Sequence, residues 1–317
     1  MTNQVSSYFG RLFSAFGAGW TRFWFTPSDP ATLSAMRVLV GLLAVYLHGT
    51  LLFDVVAFFG PNGLLPTAEI APLEGRTFSY LNYLSTPGEL WAVQLIGLAA
   101  LVSFTVGFWT RATSILALVV FLSDVQRAPM ITGPTEPIVA MLLAYLCLAP
   151  CGRRFSVDRR LAARRGDAAF AADNALSTGA TIATRLIQVH LALWVAMMGF
   201  SKLTGDTWWS GLGMWWLIAR PNSRLVDFSW LHTTPRLIDL WTHAVVLFEL
   251  TFPILVWVPL ARPLLLVAGL IIWTSLALVT GDITFAVALA IASMAFVSPS
   301  LVAEPAPEPG QLAARPA

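Results

Sequence analysis

PLLLVAGLIIWTSLALVT, residues 263–280, runs for eighteen positions without a charge. A run of about 18 or more such residues reads as a membrane-spanning helix, because a helix satisfies all its backbone polar groups internally and this length crosses the hydrocarbon layer. Segments of the same kind recur on both sides. Toward the N-terminus they cover residues 237–258, 182–203, 136–149, 112–130, 89–108 and 33–53, and toward the C-terminus residues 283–297. Ser28-Asp29-Pro30 supplies a helix start before the first of them, since proline suits the first helical turn. The expected fold class is all-α, a polytopic transmembrane helical bundle of about eight spans. The segments at 136–149 and 283–297 fall below the ~17–25 residues a span needs.

Composition agrees. The 317 residues are 57% hydrophobic and 11% charged, against about 25% charged for an ordinary soluble domain. The 13 tryptophans suit a chain with two membrane–water interfaces. A net charge of +2 is too small to suggest a nucleic-acid partner. Two cysteines, Cys147 and Cys151, are too few for a disulfide framework. Their spacing leaves packing at a helix end or metal and redox chemistry open. Residues 1–28 hold Phe9, Phe13, Phe16, Trp20 and Phe23 at helical spacing, an amphipathic segment suited to the membrane surface. Residues 29–300 form the transmembrane domain, and residues 301–317, rich in Pro, Ala and Glu, are expected to be disordered.

Arginines orient the spans. The link at 151–181 carries Arg153, Arg154, Arg159, Arg160, Arg164 and Arg165, and short basic links stay cytoplasmic. Counting outward from it puts both termini and the turns at Arg111 and Arg262 on the same side. The outer links hold only Arg76, Arg127, Arg220, Arg224 and Arg236.

Of 19 Lys and Arg residues, Lys202 is the only lysine. The chain uses arginine wherever a generic positive charge serves. Arginine cannot be deprotonated in a protein, whereas a desolvated lysine can lose its proton and act as a base. The competing reading is a lysine reaching from the outer end of its span to the headgroups. Asp206 follows four residues later and can share its helical face. Trp208 falls at headgroup depth. Glu249 lies mid-way along the sixth span, His243 nearer its outer end, and His190 in the inner third of the fifth. Asp124, Arg127, Glu136 and Asp282 collect at outer span ends. One polar pocket opening outward is expected from this set, with separate interhelical bonds as the alternative. Arg37 reads as a structural anchor or ion-pair partner, and His48 and His232 as ordinary residues. No G-x-S-x-G elbow, phosphate loop or H-E-x-x-H pattern occurs.

The run from Arg185-Leu186-Ile187-Gln188 into Lys202-Leu203-x-Gly205-x-x-Trp208-x-x-Gly211 resembles the HTTM (horizontally transferred transmembrane) family, which is related to the membrane domain of vitamin K-dependent gamma-carboxylase. Arg37-Val38-Leu39 with Gly41, Gly60-Pro61-Asn62-Gly63-Leu64-Leu65-Pro66, Gly107 with Arg111, Ser156-Val157-Asp158, and Glu249 with Pro253 follow in the same order. The resemblance covers residues 28–299. It implies that Lys202 is the base that deprotonates a lipid-soluble quinol, with Glu249, Glu136, His243, Asp206 and Trp208 around the substrate. It also implies a multi-pass protein of the bacterial inner membrane whose partners are the lipid bilayer and a quinone-like molecule. Trp273 and Thr135-Glu136 stand where many relatives carry histidine, which speaks against peptide carboxylation. A membrane protein that binds a lipid or a protein partner without catalysis is the reading from another class.

Overall fold

The computed structural model describes residues 2–64, 66, 79–167, 176–220 and 224–298. The expected disordered tail at 301–317 lies outside the described residues, as do Leu65 and Arg76 of the link between the first two apolar segments. Each of the eight apolar segments is helical. They are α2 (Ala31–Leu51), α3 (Pro87–Val106), α4 (Thr110–Arg127), α5 (Thr135–Leu148), α7 (Thr178–Leu203), α8 (Pro235–Leu255), α9 (Arg262–Thr280) and α10 (Ile283–Ser293). Two further helices of eight residues or more are α1 (Thr2–Phe25) in the amphipathic segment and α6 (Val157–Arg164) in the arginine-rich link. Among the described residues there is no strand, and one isolated bridge joins Ser28 to Ser177.

Local chemistry sets the helix ends. At the start of α3 the Thr86 hydroxyl accepts from the Glu89 N–H, and the Glu89 carboxylate accepts in return from the N–H of Thr86 and Ser85. This is a capping box, completed by Pro87 in the first turn. Gly107 ends the same helix at φ 73. The guanidinium of Arg37 and the Ser156 side chain lie against it, where a Cβ would collide with both. Only glycine fits there on conformational and steric grounds together.

Five of the helices are long and apolar enough to cross a membrane. The two short ones, α5 and α10, sit at the centre. Helix α5 packs against α2, α4, α7 and α10, and α10 against α2, α5, α7 and α9. A helix surrounded by protein does not have to match the lipid thickness, so shortness and central position go together. The periphery is apolar where a water-soluble protein would be polar: Ile96, Leu264 and Ile271 are 68%, 73% and 64% exposed. Buried polar groups such as Gln94, Asp124, Gln188, Thr242 and Glu249 lie inside. The chain is a membrane protein built as an all-helical bundle.

Links on the same side of the bundle are tied to one another. At the arginine-rich end, Arg37 donates to the carbonyls of Cys151 and Phe155, Arg154 pairs with Asp29, and Asp158 accepts from the N–H of Trp109 and Thr110. Arg37 is therefore the anchor its position suggested. At the opposite end, Arg127 donates to the carbonyls of Phe59 and Gly60, and Thr135 meets Thr284. Helix α1 joins the bundle through its last turn, where Arg185 of α7 lies 4.3 Å over the ring of Phe23 and donates to its carbonyl.

Candidate functional site

Lys202, the next-to-last residue of α7, turns toward α8. Its ammonium donates to both carboxylate oxygens of Glu249 at 2.8 and 2.7 Å, and to the carbonyl of Met198 at 3.4 Å. Glu249 is 1% exposed and Lys202 14% exposed. Gly199 makes this approach possible. It precedes Lys202 by three positions, on the same face of α7, and a Cβ there would press on Leu250 and on Glu249 itself. The small residue lets α8 come close enough for an ion pair across two helices. Pro253 lies inside α8. It has no N–H to offer the Glu249 carbonyl one turn earlier, so the helix is loosened at the residue that carries the acid.

The link between α7 and α8 closes over the pair. Thr242 of α8 donates to the Gly211 carbonyl and accepts from the Met214 N–H, and Trp209 donates to the carbonyl of Leu203. These bonds pin the short helices Asp206–Trp209 and Gly213–Ile218. Gly213 packs flat against the Trp208 ring, where a Cβ would overlap it. Trp208 is thereby held with its ring centroid 5.0 Å from the Lys202 ammonium, within cation–π reach. Beside them opens a cavity of about 430 Å³ whose walls include Lys202, Trp208, Trp209, His243 and Leu247. The site thus combines an apolar chamber, one buried acid and one amine.

Of the sequence candidates, Lys202, Glu249, Trp208 and His243 come together. His243 lines the chamber while its ring bonds to the Asp239 carbonyl at 2.9 Å, one turn back along its own helix. Asp206 and Glu136 stand outside and correct the expected set. Asp206 is exposed in the link, and Lys202 takes Glu249 instead, because Gly205 ends the helical register that would have brought Asp206 over it. Glu136 accepts from the Gly133 N–H at 2.8 Å, closing the turn that enters α5, and is absent from the chamber wall.

The expected single outer pocket divides into separate groups. Asp124 of α4 belongs to a second buried cluster, with His48 of α2 and Gln94 of α3. His48 Nδ1 lies 2.6 Å from one Asp124 oxygen, and Gln94 Nε2 donates to the other at 3.1 Å. His48 Nε2 lies 3.0 Å from the Gln94 carbonyl, which can only accept, so the second nitrogen and the carboxylate must share a proton. His48 is no ordinary residue. An ionisable group inside an apolar run was the available signal. Asp282 is exposed at the start of α10. His190 of α7 meets the Tyr145 hydroxyl at 2.8 Å, on the wall of an apolar cavity of about 690 Å³ shared by α5, α7 and α10. Trp273 packs among Phe248 and Phe252, filling with aromatic surface the place where the family resemblance implied a histidine. Cys151 lies after α5, where burial pushes its thiol up to about 11. It is hydrogen-bonded to the Leu146 carbonyl. Among the described residues no group of His, Cys, Asp and Glu is placed to hold a metal ion.

No family model, curated protein or solved structure matches this chain.

Proposed function

We propose that this chain is an HTTM-like multi-pass protein of the bacterial inner membrane that takes a lipid-soluble quinol into the Lys202 chamber and removes a proton from it. Both termini and the arginine-rich links face the cytoplasm, and the chamber lies toward the outer surface. All eight helices serve as spans or as the buried centre between them. The observation that carries the reading is the pairing of the only lysine with a buried acid from another helix, at the wall of an apolar cavity.

The chemistry follows from proton placement. Lys202 and Glu249 hold one shared proton in either of two forms, ammonium with carboxylate or amine with carboxylic acid, both uncharged as a pair. Passage between them moves one proton along a bond of 2.7–2.8 Å. In the second form the amine nitrogen has a free lone pair. It accepts the proton of a quinol hydroxyl, breaking O–H, forming N–H and leaving a quinolate beside the new ammonium. Trp208 supplies a flat apolar wall for the ring, and the chamber keeps water from competing as the acceptor. The resemblance implies that oxygen then reacts with the quinolate.

One observation favours a non-catalytic membrane protein that binds a lipid or a partner: the three ammonium protons already have three acceptors in Glu249 and Met198. Lys202→Arg separates the readings. Arginine keeps the charge and can still bond to Glu249, but it cannot serve as a base. If the lysine is the base, quinol oxidation in nanodiscs falls by about a hundred- to ten-thousand-fold, with insertion and melting behaviour retained. Full activity in the variant would leave an ion pair and remove the catalytic role.

A further inference from the structure

We propose that the arginine-rich end carries a binding site for the phosphodiester headgroup of an anionic membrane lipid. The site is distinct from the Lys202 chamber and does not depend on the quinol reading. A cavity of about 700 Å³ opens there between the start of α4, the turn after α5 and helix α6. Arg111, Arg153 and Arg165 line it, with Asp158 and Asp167 as the acids and Leu161 among the apolar walls.

Three guanidinium groups and two carboxylates line the cavity, so its wall carries a net positive charge, and Asp158 faces the start of α4. Its two oxygens accept from the backbone N–H of Trp109 and Thr110 and from the Thr110 hydroxyl, at 2.8, 2.8 and 2.6 Å. That carboxylate occupies the start of α4, so an arriving anion must meet guanidinium groups instead. Arg111 gives one N–H to the Cys147 carbonyl at 3.2 Å. A guanidinium carries five such donors in a fork that matches phosphate oxygens, which leaves Arg111 able to bind a second acceptor.

The aromatic rim argues for a lipid. Phe108 and Trp109 stack at 6.0 Å beside the cavity, and Trp109 is 70% exposed. Trp109 adopts a left-handed backbone at φ 48, a conformation disfavoured for a bulky residue and held by the Asp158 bond. An exposed tryptophan fixed at a helix end belongs at headgroup depth. Basic pockets between helices at that depth match anionic headgroups, whose acyl chains then lie along the apolar flank.

The test uses the full chain purified in detergent and returned to nanodiscs of phosphatidylcholine with or without phosphatidylglycerol. Retained lipid is counted by native mass spectrometry, and the melting midpoint is followed during lipid titration. Phosphatidylglycerol should be retained saturably and raise the midpoint. The pair Arg111→Gln with Arg165→Gln should weaken retention by about twenty-five-fold, from about fivefold per arginine. Arg165→Gln alone, at an exposed position, should show about fivefold if the pair fails to fold. Arg160→Gln with Arg164→Gln removes the same charge from α6 outside the cavity and should change retention little. An equal fall in that control would reduce the effect to diffuse surface charge and overturn the site, as would unchanged retention in the cavity variants. Displacement by glycerol 3-phosphate at matched concentration would overturn the lipid and assign the cavity to a soluble phosphate ester.

Discussion

Two buried acid–base pairs cross between helices among the described residues, and they differ most in access. His48 with Asp124 is 0% and 4% exposed, Lys202 with Glu249 14% and 1%. Each pair holds one shared proton and is uncharged as a unit. The first is sealed: both ring nitrogens and both carboxylate oxygens have protein partners, and Gly97 brings helix α3 against the imidazole. The second adjoins a chamber and is roofed by an aromatic ring. The same chemistry is therefore a fastener in one place and a candidate reactive group in the other. What distinguishes them is whether a third molecule can reach the proton.

The largest expected effect tests the sealed pair. Asp124→Ala leaves the His48 imidazole and the Gln94 amide without their shared acceptor among three helices. Removing one member of a buried pair destabilises by about 3–5 kcal/mol, so the variant should melt far below the parent protein, or fail to accumulate. Lys202→Arg should shift stability far less, because the guanidinium keeps the charge and can still bond to Glu249. If Asp124→Ala melted like the parent while Lys202→Arg unfolded, the assignment of fastener and reactive group would be reversed.

A smaller difference is expected from the glycines that admit each pair. A methyl at Gly97 would lie 2.9 Å from Val120 and 3.3 Å from the His48 ring. At Gly199 the nearest atoms are 3.1 and 3.2 Å away, on Leu250 and Glu249. Overpacking costs about 1–3 kcal/mol, and alanine in place of a helical glycine returns about 0.5–1 kcal/mol. Gly97→Ala should thus lose about 1 kcal/mol net, while Gly199→Ala stays near the parent because the loosened helix at Pro253 can yield. Thermal unfolding of both in one detergent checks the ranking, and equal losses would show that the Lys202 site is as rigid as the sealed one.

The contrast also marks how far the amino-acid sequence could be read. Hydropathy placed all eight helices to within a few residues of their ends, because a helix in lipid has no alternative way to satisfy its backbone. It also singled out Lys202 and Glu249, since an intramembrane charge is conspicuous in an apolar run. It could not pair them. The choice of Glu249 over Asp206 depends on Gly199 letting α8 approach and on the helix ending before Asp206, both matters of three-dimensional packing. His48 was passed over for a related reason: histidine carries no fixed charge, and its partners Gln94 and Asp124 lie 46 and 76 residues away. The central placement of α5 and α10 was hinted at by their length alone. The two aligned clusters of polar residues looked like one pocket because depth in the membrane can be read from sequence, whereas angular position around the bundle cannot.

The finest test concerns the roof of the open pair. Trp208 has no counterpart over His48, so whatever it contributes belongs to the difference between the two pairs. Its ring lies 5.0 Å from the ammonium, an attraction of about 0.5–1 kcal/mol at a partly exposed site. Trp208→Phe keeps an aromatic face but a smaller one, further from Gly213, and should lower quinol turnover only about two- to fivefold. Trp208→Leu removes the aromatic face altogether and should lose more. A purely packing role predicts that turnover and stability fall together, more for leucine than for phenylalanine, because both leave the Gly213 contact incomplete. Measuring turnover and melting midpoint on the same two variants separates the cases. If turnover follows aromaticity while the midpoints coincide, the ring acts on the ammonium or on the bound quinol. If turnover merely follows the midpoint, Trp208 is a wall of the chamber and the difference between the pairs reduces to access alone.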